Sequence, residues 1–307
     1  MIEVWHQATD SDRFRRVVKS DLGRRVLDST VWESIDLERN RILMKRAHKL
    51  SPDLFNDVRT FCLFVGHNKS GTSMLGALLD AHPRVIVSDE VHALRYVAGR
   101  FDRNQLFHRL YKGSRSEARK GRVTARRLDP YSYEVEGQWQ GNVDAPLAVG
   151  DGKAGTTTRL LGQNPRLLDD ARALMAGIDV KLIQVIRNPF DPISVMMVRG
   201  GRTFRNAVDH YFAACSTLLS IRRSQPAGAL HSVRYEDFVA DPAHGLMALC
   251  EHLAVPIDAE HIERCAAIIR PAPDRSRDMV AWDERWISEV ESRIADVDFL
   301  GGYSYDC

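Results

Sequence analysis

Apolar residues along this chain follow two rhythms. Short runs at Phe61–Val65, Val85–Val87, Leu147–Val149, Lys181–Arg187 and Ser232–Arg234 predict strands, and the first, apolar throughout, predicts a buried one. Between most of them, as over 206–223, apolar residues return every three or four positions, the spacing of a helix with one face on a core. Strands alternating with helices predict an α/β fold of three layers, with a central, mostly parallel sheet between helices. Asp241 before Pro242, and Asp258 before AEHIERCAAIIR, have the form of helix starts, and Pro271 follows a helix end.

Two stretches depart from this alternation. Residues 1–58 carry charge at close intervals and predict two or three surface helices, which cap the core or line a contact in a homodimer. Residues 92–146 carry no clear rhythm. The pattern as a whole predicts one domain over 1–307, with an N-terminal helical segment (1–58) and an insertion (95–146) that serves as a lid or acceptor-site region. Within the insertion, Lys112, Arg115, Arg119, Lys120, Arg122, Arg126 and Arg127 stand against Glu117 alone. They read either as a lid for an anionic substrate or as a solvated, mobile loop. The aromatics of YSYEVEGQWQG (131–141) read either as acceptor-stacking rings or as packing.

Composition narrows the field. A chain of 307 residues with 44% hydrophobic and 27% charged residues is that of a globular enzyme. The net charge of +2 gives no reason to expect nucleic acid as a partner. Cys62, Cys215, Cys250, Cys265 and Cys307 are scattered, without CxxC or zinc spacing, and predict reduced thiols and a cytoplasmic setting. No run approaches the roughly 18 apolar residues of a membrane-spanning helix. Residues 1–9 lack the apolar stretch of a signal peptide.

The chemistry concentrates in FCLFVGHNKSGTSMLGALLD, residues 61–80. A buried strand runs into Gly66, a polar loop turns at Gly71, and Met74, Leu75, Leu78 and Leu79 recur at helical spacing. Such a loop aims backbone N–H groups and the positive end of the helix dipole at one place. Ser70, Thr72 and Ser73 add hydroxyls and Lys69 adds a cation, so an anion belongs there, although strand, turn and helix alone make a loop that binds nothing. The triphosphate loop GxxxxGK[ST] requires Lys directly after its second Gly. Here Thr72 holds that position and Lys69 lies earlier.

HNKSGTSMLGALLDAHP (67–83) resembles the phosphosulfate loop of the sulfotransferases, with Asn68 where Pro is commoner. The resemblance implies a P-loop-like fold of the bacterial type and a loop that grips 3′-phosphoadenosine 5′-phosphosulfate (PAPS), with adenosine 3′,5′-bisphosphate as the product. It implies further that Lys69 touches the oxygen bridging phosphate and sulfuryl group, with Ser70, Gly71, Thr72 and Ser73 around it. It places the base at Glu90, separated from the loop cation by the same LDAHP element as in the tyrosylprotein and related enzymes; Asp89 and His92 are its rivals. LAVGDGKAG (147–155) resembles a G-D-K-x-G element and makes Lys153 a second cation over the transferring group.

KLIQVIRNPFDPISVMMVR (181–199) is similar to the family's 3′-phosphate signature, a strand ending in Arg followed by N-P-x-D and a Ser-bearing helix. Arg187 then offers a planar fork to the 3′-phosphate. The family's hydroxyl position falls on Val195, so Ser194 substitutes from one residue earlier, or Arg187 acts with backbone help. Asp191 caps that helix and Pro192 opens it. VRYEDFVADP (233–242) reads as structural, with Tyr235 packing and Arg234 pairing with Glu236. DRSRDMVAW (274–282) resembles a late element whose Ser276 and Arg277 either reach the 3′-phosphate or form a plain turn.

Sulfuryl transfer carries less charge than phosphoryl transfer, so no metal is expected. The resulting expectation is a sulfotransferase acting on a hydroxyl or amine of a small-molecule, carbohydrate or lipid acceptor. An ATP- and magnesium-dependent, kinase-like phosphotransferase is the alternative, and a non-catalytic nucleotide-binding protein a third.

Overall fold

The structure, a computed structural model, describes residues 30–89, 91–123, 131–270, 272 and 275–307, with side chains from residue 34 onward. Glu90, Pro271 and the basic pair Arg126 and Arg127 lie outside the described residues. The chain forms two compact units, Met1–Leu50 and Ser51–Cys307.

In the first unit the described residues form one helix, α1 (Thr30–Leu50), with His48 and Lys49 in its last turn. There their basic groups meet the negative end of the helix dipole. Asn40 Nδ2 donates to the Asp36 carbonyl at 2.8 Å, and Arg41 pairs with Glu38 at 3.1 Å.

The second unit is built on five parallel strands in the order β2-β3-β1-β4-β5. They are β1 (Thr60–Gly66), β2 (Val85–Ser88), β3 (Ala148–Asp151), β4 (Asp179–Ile186) and β5 (Leu230–Arg234). All five expected strands are present. The sheet is wholly parallel, and every residue of β1, its central strand, is buried. Gly150 lets β3 lie close beside β1, since a Cβ there would come within 2.1 Å of Cys62 Sγ.

Helices α2 (Thr72–Asp80), α3 (Ala93–Ala98), α4 (Arg103–Ala118), α5 (Ala154–Gln163), α6 (Arg166–Leu174), α7 (Phe190–Gly200) and α8 (Phe204–Ser224) fill the intervals between strands. After β5 come α9 (Tyr235–Ala240), α10 (Pro242–His252), α11 (Ala259–Ala267) and α12 (Glu284–Ala295). The carboxylates of Asp241 and Asp258 cap α10 and α11, as the sequence predicts. Side chains alternate across the sheet. Cys62 and Phe64 of β1 join Leu75 and Leu78 of α2 and Leu246 and Leu249 of α10 in one buried cluster. Phe61 faces the other way, its ring 6.1 Å from that of Phe107 in α4.

The stretch that interrupts the sequence rhythm is more regular than expected. A reciprocal box starts α4: Gln105 N donates to Asp102 Oδ1 at 2.8 Å, and Asp102 N to Gln105 Oε1 at 3.2 Å. Leu106, Phe107 and Leu110 are buried beneath it. The mobile-loop reading of the basic segment is therefore corrected over 112–122. Lys112 and Arg115 belong to α4, and the Arg122 side chain is only 4% exposed, paired with Asp80 and Glu117.

Candidate active site

Chain direction across the sheet changes at β1. The connection from β1 leads out to the edge strand β2, whereas that from β3 leads to β4 on the opposite side. Open α/β sheets bind ligands in the crevice at the carboxyl ends of such neighbouring strands. Both lysine-bearing turns leave from that edge, one after β1 and one after β3.

The first loop has an unusual backbone. Gly66, Lys69 and Gly71 have φ of 139°, 70° and 95°. A Cβ at Gly71 would lie 2.4 Å from Cδ2 of Tyr235, so the loop rests directly on that ring. Gly71 precedes α2, and no side chain caps the helix, so its first N–H groups have no partner within the helix. Ser70 is 1% exposed, and its Oγ has no hydrogen-bond partner among the described residues. A buried hydroxyl left this way costs about 1–3 kcal/mol. An anion seated on the loop would satisfy the hydroxyl and the helix terminus together. Lys69 and Ser73 are exposed and Thr72 is buried.

Neighbouring elements fix the loop from below. Gly66 N donates to Thr158 Oγ1 at 2.8 Å, and that hydroxyl donates to the Gly66 carbonyl at 3.0 Å, joining α5 to the end of β1. His67 stacks on Tyr211 of α8, centroids 3.8 Å apart, with Nε2 3.0 Å from the Tyr211 carbonyl. Burial lowers His67 from 6.5 to about 4. At neutral pH it is an uncharged brace.

The second lysine turn is packed between two other loops. Lys153 immediately precedes α5. A Cβ on Gly155 would come within 2.3 Å of Asn68 Oδ1, and one on Gly152 would lie 3.0 Å from Asp89 Oδ1. Gly152 N donates to the Ser88 carbonyl at 2.7 Å. Residues 152–155 thus form a wedge between the Lys69 loop and the turn after β2. Asp151, at the foot of the wedge, is completely buried, and burial, with Asp89 nearby, raises its carboxyl to about 7.

Arg187 stands just beyond β4. Its Nη1 donates to the Lys69 carbonyl at 3.1 Å, its Nε lies 3.4 Å from Asp191 Oδ2, and its guanidinium covers the Tyr235 ring at 4.7 Å. The helix α7 starts earlier than the sequence suggested. Asn188 Oδ1 accepts Phe190 N at 3.1 Å, and Asp191 lies inside the first turn as an ion-pair partner rather than a cap. Ser194 is fully buried, and its Oγ accepts Trp282 Nε1 at 3.0 Å while keeping its own proton to donate.

Arg277 folds onto the same base. Its N and Nε donate to Asp191 Oδ1 at 2.8 and 3.2 Å, and its Nη1 donates to the carbonyls of Tyr305 and Cys307 at 2.8 and 2.6 Å. Any direct grip on a ligand would require it to trade these partners. Asp191 thereby ties Arg187 and Arg277 into one buried platform.

Lys69, Ser70, Gly71, Thr72 and Ser73 therefore form one surface, joined to Lys153 through Asn68 and Gly155 and to Arg187 through the Lys69 carbonyl. Sequence reasoning missed Thr158, Asp151 and the Glu117–Arg122 pair; of these, only the Asp of G-D-K carried a local signal. Among the described residues, no group of three His, Cys, Asp or Glu could hold a metal ion, and no helix is long and apolar enough to cross a membrane.

A profile of the sulfotransferase family matches residues 63–259. A search of curated proteins returns no match. Among solved structures, the sulfotransferase domain from the curacin biosynthetic pathway is 19% identical, over 78% of this chain and 97% of that domain, with a TM-score of 0.50. Sulfotransferase STF9 from Mycobacterium avium is 14% identical, over 94% of this chain and 89% of its own, with a TM-score of 0.51. The structural likenesses show a shared fold. The profile match, over more than half of the sequence and across both lysine turns and the Arg187 strand end, shows more: the chain belongs to the sulfotransferase family.

Proposed function

We propose that this sulfotransferase takes its sulfuryl group from PAPS and delivers it, in line and without a metal, to a hydroxyl or amine of a small-molecule, carbohydrate or lipid acceptor. PAPS, when bound, supplies the activated sulfuryl group. The protein supplies charge and orientation. Ser70, Gly71, Thr72 and Ser73 hold the 5′-phosphate side through hydroxyls and the α2 N-terminus. Lys69 stabilises the departing phosphate oxygen, and Lys153 steadies the sulfuryl oxygens. Glu90, directly after Asp89 in sequence, accepts the acceptor's proton. Arg187 grips the 3′-phosphate, Ser194 adds a hydroxyl donor, and Arg277 joins them if it exchanges its tail carbonyls for phosphate.

The observation that carries this reading is the wedge at 152–155. It packs against Asn68 on one side and Asp89 on the other, and so brings both lysine turns and the start of the turn after β2 to one sheet edge. The test is transfer of labelled sulfate from PAPS into an extract of the source organism. Lys69→Ala is expected to abolish transfer and Glu90→Ala to cut it by at least about a hundredfold, to a small residual rate, while the fold persists and Glu90→Ala still binds adenosine 3′,5′-bisphosphate. Full transfer by either variant removes the role given to that residue.

A further inference from the structure

The turn that follows β2 is held at both ends by carboxylates, one partly buried and one fully buried, to which the proposed reaction gives no part. At its start, Glu117 of α4 accepts Ser88 Oγ through Oε1 at 2.9 Å and Asp89 N through Oε2 at 3.0 Å. At its end, Asp151 Oδ2 accepts Ala93 N at 2.6 Å. Glu117 is itself held by Arg122 Nη1 at 2.8 Å, and Arg122 Nη2 bonds to Asp80. Asp80 in turn accepts Val87 N at 2.7 Å and Ser114 Oγ at 2.8 Å. Gly113 permits the close approach of α4, because a Cβ there would meet Ser88 Oγ at 2.2 Å.

As a device for stability alone this network is poor. Asp80, Glu117 and Asp151 are all raised, in each case chiefly by burial, and among the described residues Arg122 is the cation that pairs with Asp80 and Glu117. Apolar residues of similar volume commonly stabilise an interior as well or better. What the carboxylates supply is direction. Main-chain N–H groups at residues 89 and 93 are fixed by oxygens from two different elements, α4 and β3, and only Glu90, Val91 and His92 lie between them in sequence.

We propose that Glu117 and Asp151, with Arg122 and Asp80 behind Glu117, are positioning residues that set the base turn against the acceptor. The proposal rests on Glu90 as the base. It assigns Glu117 to the chemical step and not to donor binding, because its described contacts run to the β2 turn and none to the Lys69 loop. Asp151 also accepts Lys153 N at 3.4 Å and so holds the β2 turn and the second lysine turn together.

A double-mutant cycle tests it, reading the first-order rate of label transfer from saturating PAPS to the extract acceptors and, separately, the affinity for adenosine 3′,5′-bisphosphate. Glu117→Gln is expected to slow transfer by about 10- to 100-fold, the scale of a small misplacement of a reacting group. Bisphosphate affinity should stay within about twofold, and in a Glu90→Ala background Glu117→Gln should change the residual rate by less than about twofold. Asp151→Asn keeps an acceptor for Ala93 N and should retain most of the rate that Asp151→Ala loses. A parent-like rate in Glu117→Gln, an equal loss in the Glu90→Ala background, or a rate loss matched by lost bisphosphate affinity would each overturn the proposal. If Glu117→Gln does not fold, Ser88→Ala, which deletes one hydroxyl, is read by the same criteria. A fully active Glu90→Ala enzyme instead overturns the base assignment itself, whatever Glu117→Gln does.

Discussion

Gly71 shows most sharply how single residues shape the site. Its φ of 95° lies where side chains are strained, and a Cβ would run into Tyr235 at 2.4 Å. Gly71→Ala is expected to lower unfolding stability by about 1–3 kcal/mol and to weaken bisphosphate binding, measured by denaturant unfolding and calorimetry. Arg187 makes a second prediction. Its planar group serves the Lys69 carbonyl, Asp191 and the Tyr235 face together, a combination that a point charge cannot reproduce. Arg187→Ala should weaken bisphosphate affinity by at least about tenfold, and Arg187→Lys should not restore it. The glycines, Lys69 and the hydroxyls of the loop could be read together as one set because they lie within a few consecutive positions. Their partners could not. Arg234, expected to pair with Glu236, lies 3.8 Å from Asp237, and Glu236 instead accepts Asn188 N at 2.9 Å and the Tyr303 hydroxyl at 2.5 Å. Contacts so distant in sequence leave no local pattern.

Elements were easier to read where burial was continuous. The strands β1, β2 and β3 were legible because a parallel strand covered on both faces reads as a near-continuous apolar run, whereas β4 and β5 mix apolar positions with polar and exposed ones. The helix α4 was missed because its basic residues mask the spacing of Leu106, Phe107 and Leu110; the D-x-x-Q pattern of Asp102 and Gln105 was the signal available. At the seam of β1 and α8, His67 carries a pH prediction. Its folded value of about 4 lies below the ordinary 6.5, so the fold favours the neutral ring. The stabilisation is present above about pH 6.5 and is lost as pH falls toward 4, on the order of 3 kcal/mol for this one group. Asp151, raised to about 7, titrates over the same range with the opposite sign, so the test is the difference in denaturant unfolding between parent and His67→Gln. That difference should shift in favour of His67→Gln as pH falls from 6.5 toward 4. A difference that stays constant between those values would contradict the neutral-brace assignment.

At the scale of the molecule, the sheet order decides what the motifs can do together. The insertion of β3 between β1 and β2 places the turn after β3 between the other two at the carboxyl edge. That order cannot be read from the sequence, in which β3 comes more than fifty residues after β2. Family membership sets the reaction class, and the early position of Lys69 distinguishes its loop from a triphosphate loop. The most direct test of the donor assignment is therefore calorimetric titration of the protein with adenosine 3′,5′-bisphosphate in the presence of a chelator, beside a titration with ATP and magnesium. The account predicts saturable bisphosphate binding without metal that is weakened in Lys69→Ala and Arg187→Ala. Binding of magnesium-ATP alone, or bisphosphate affinity unchanged in both variants, would contradict it.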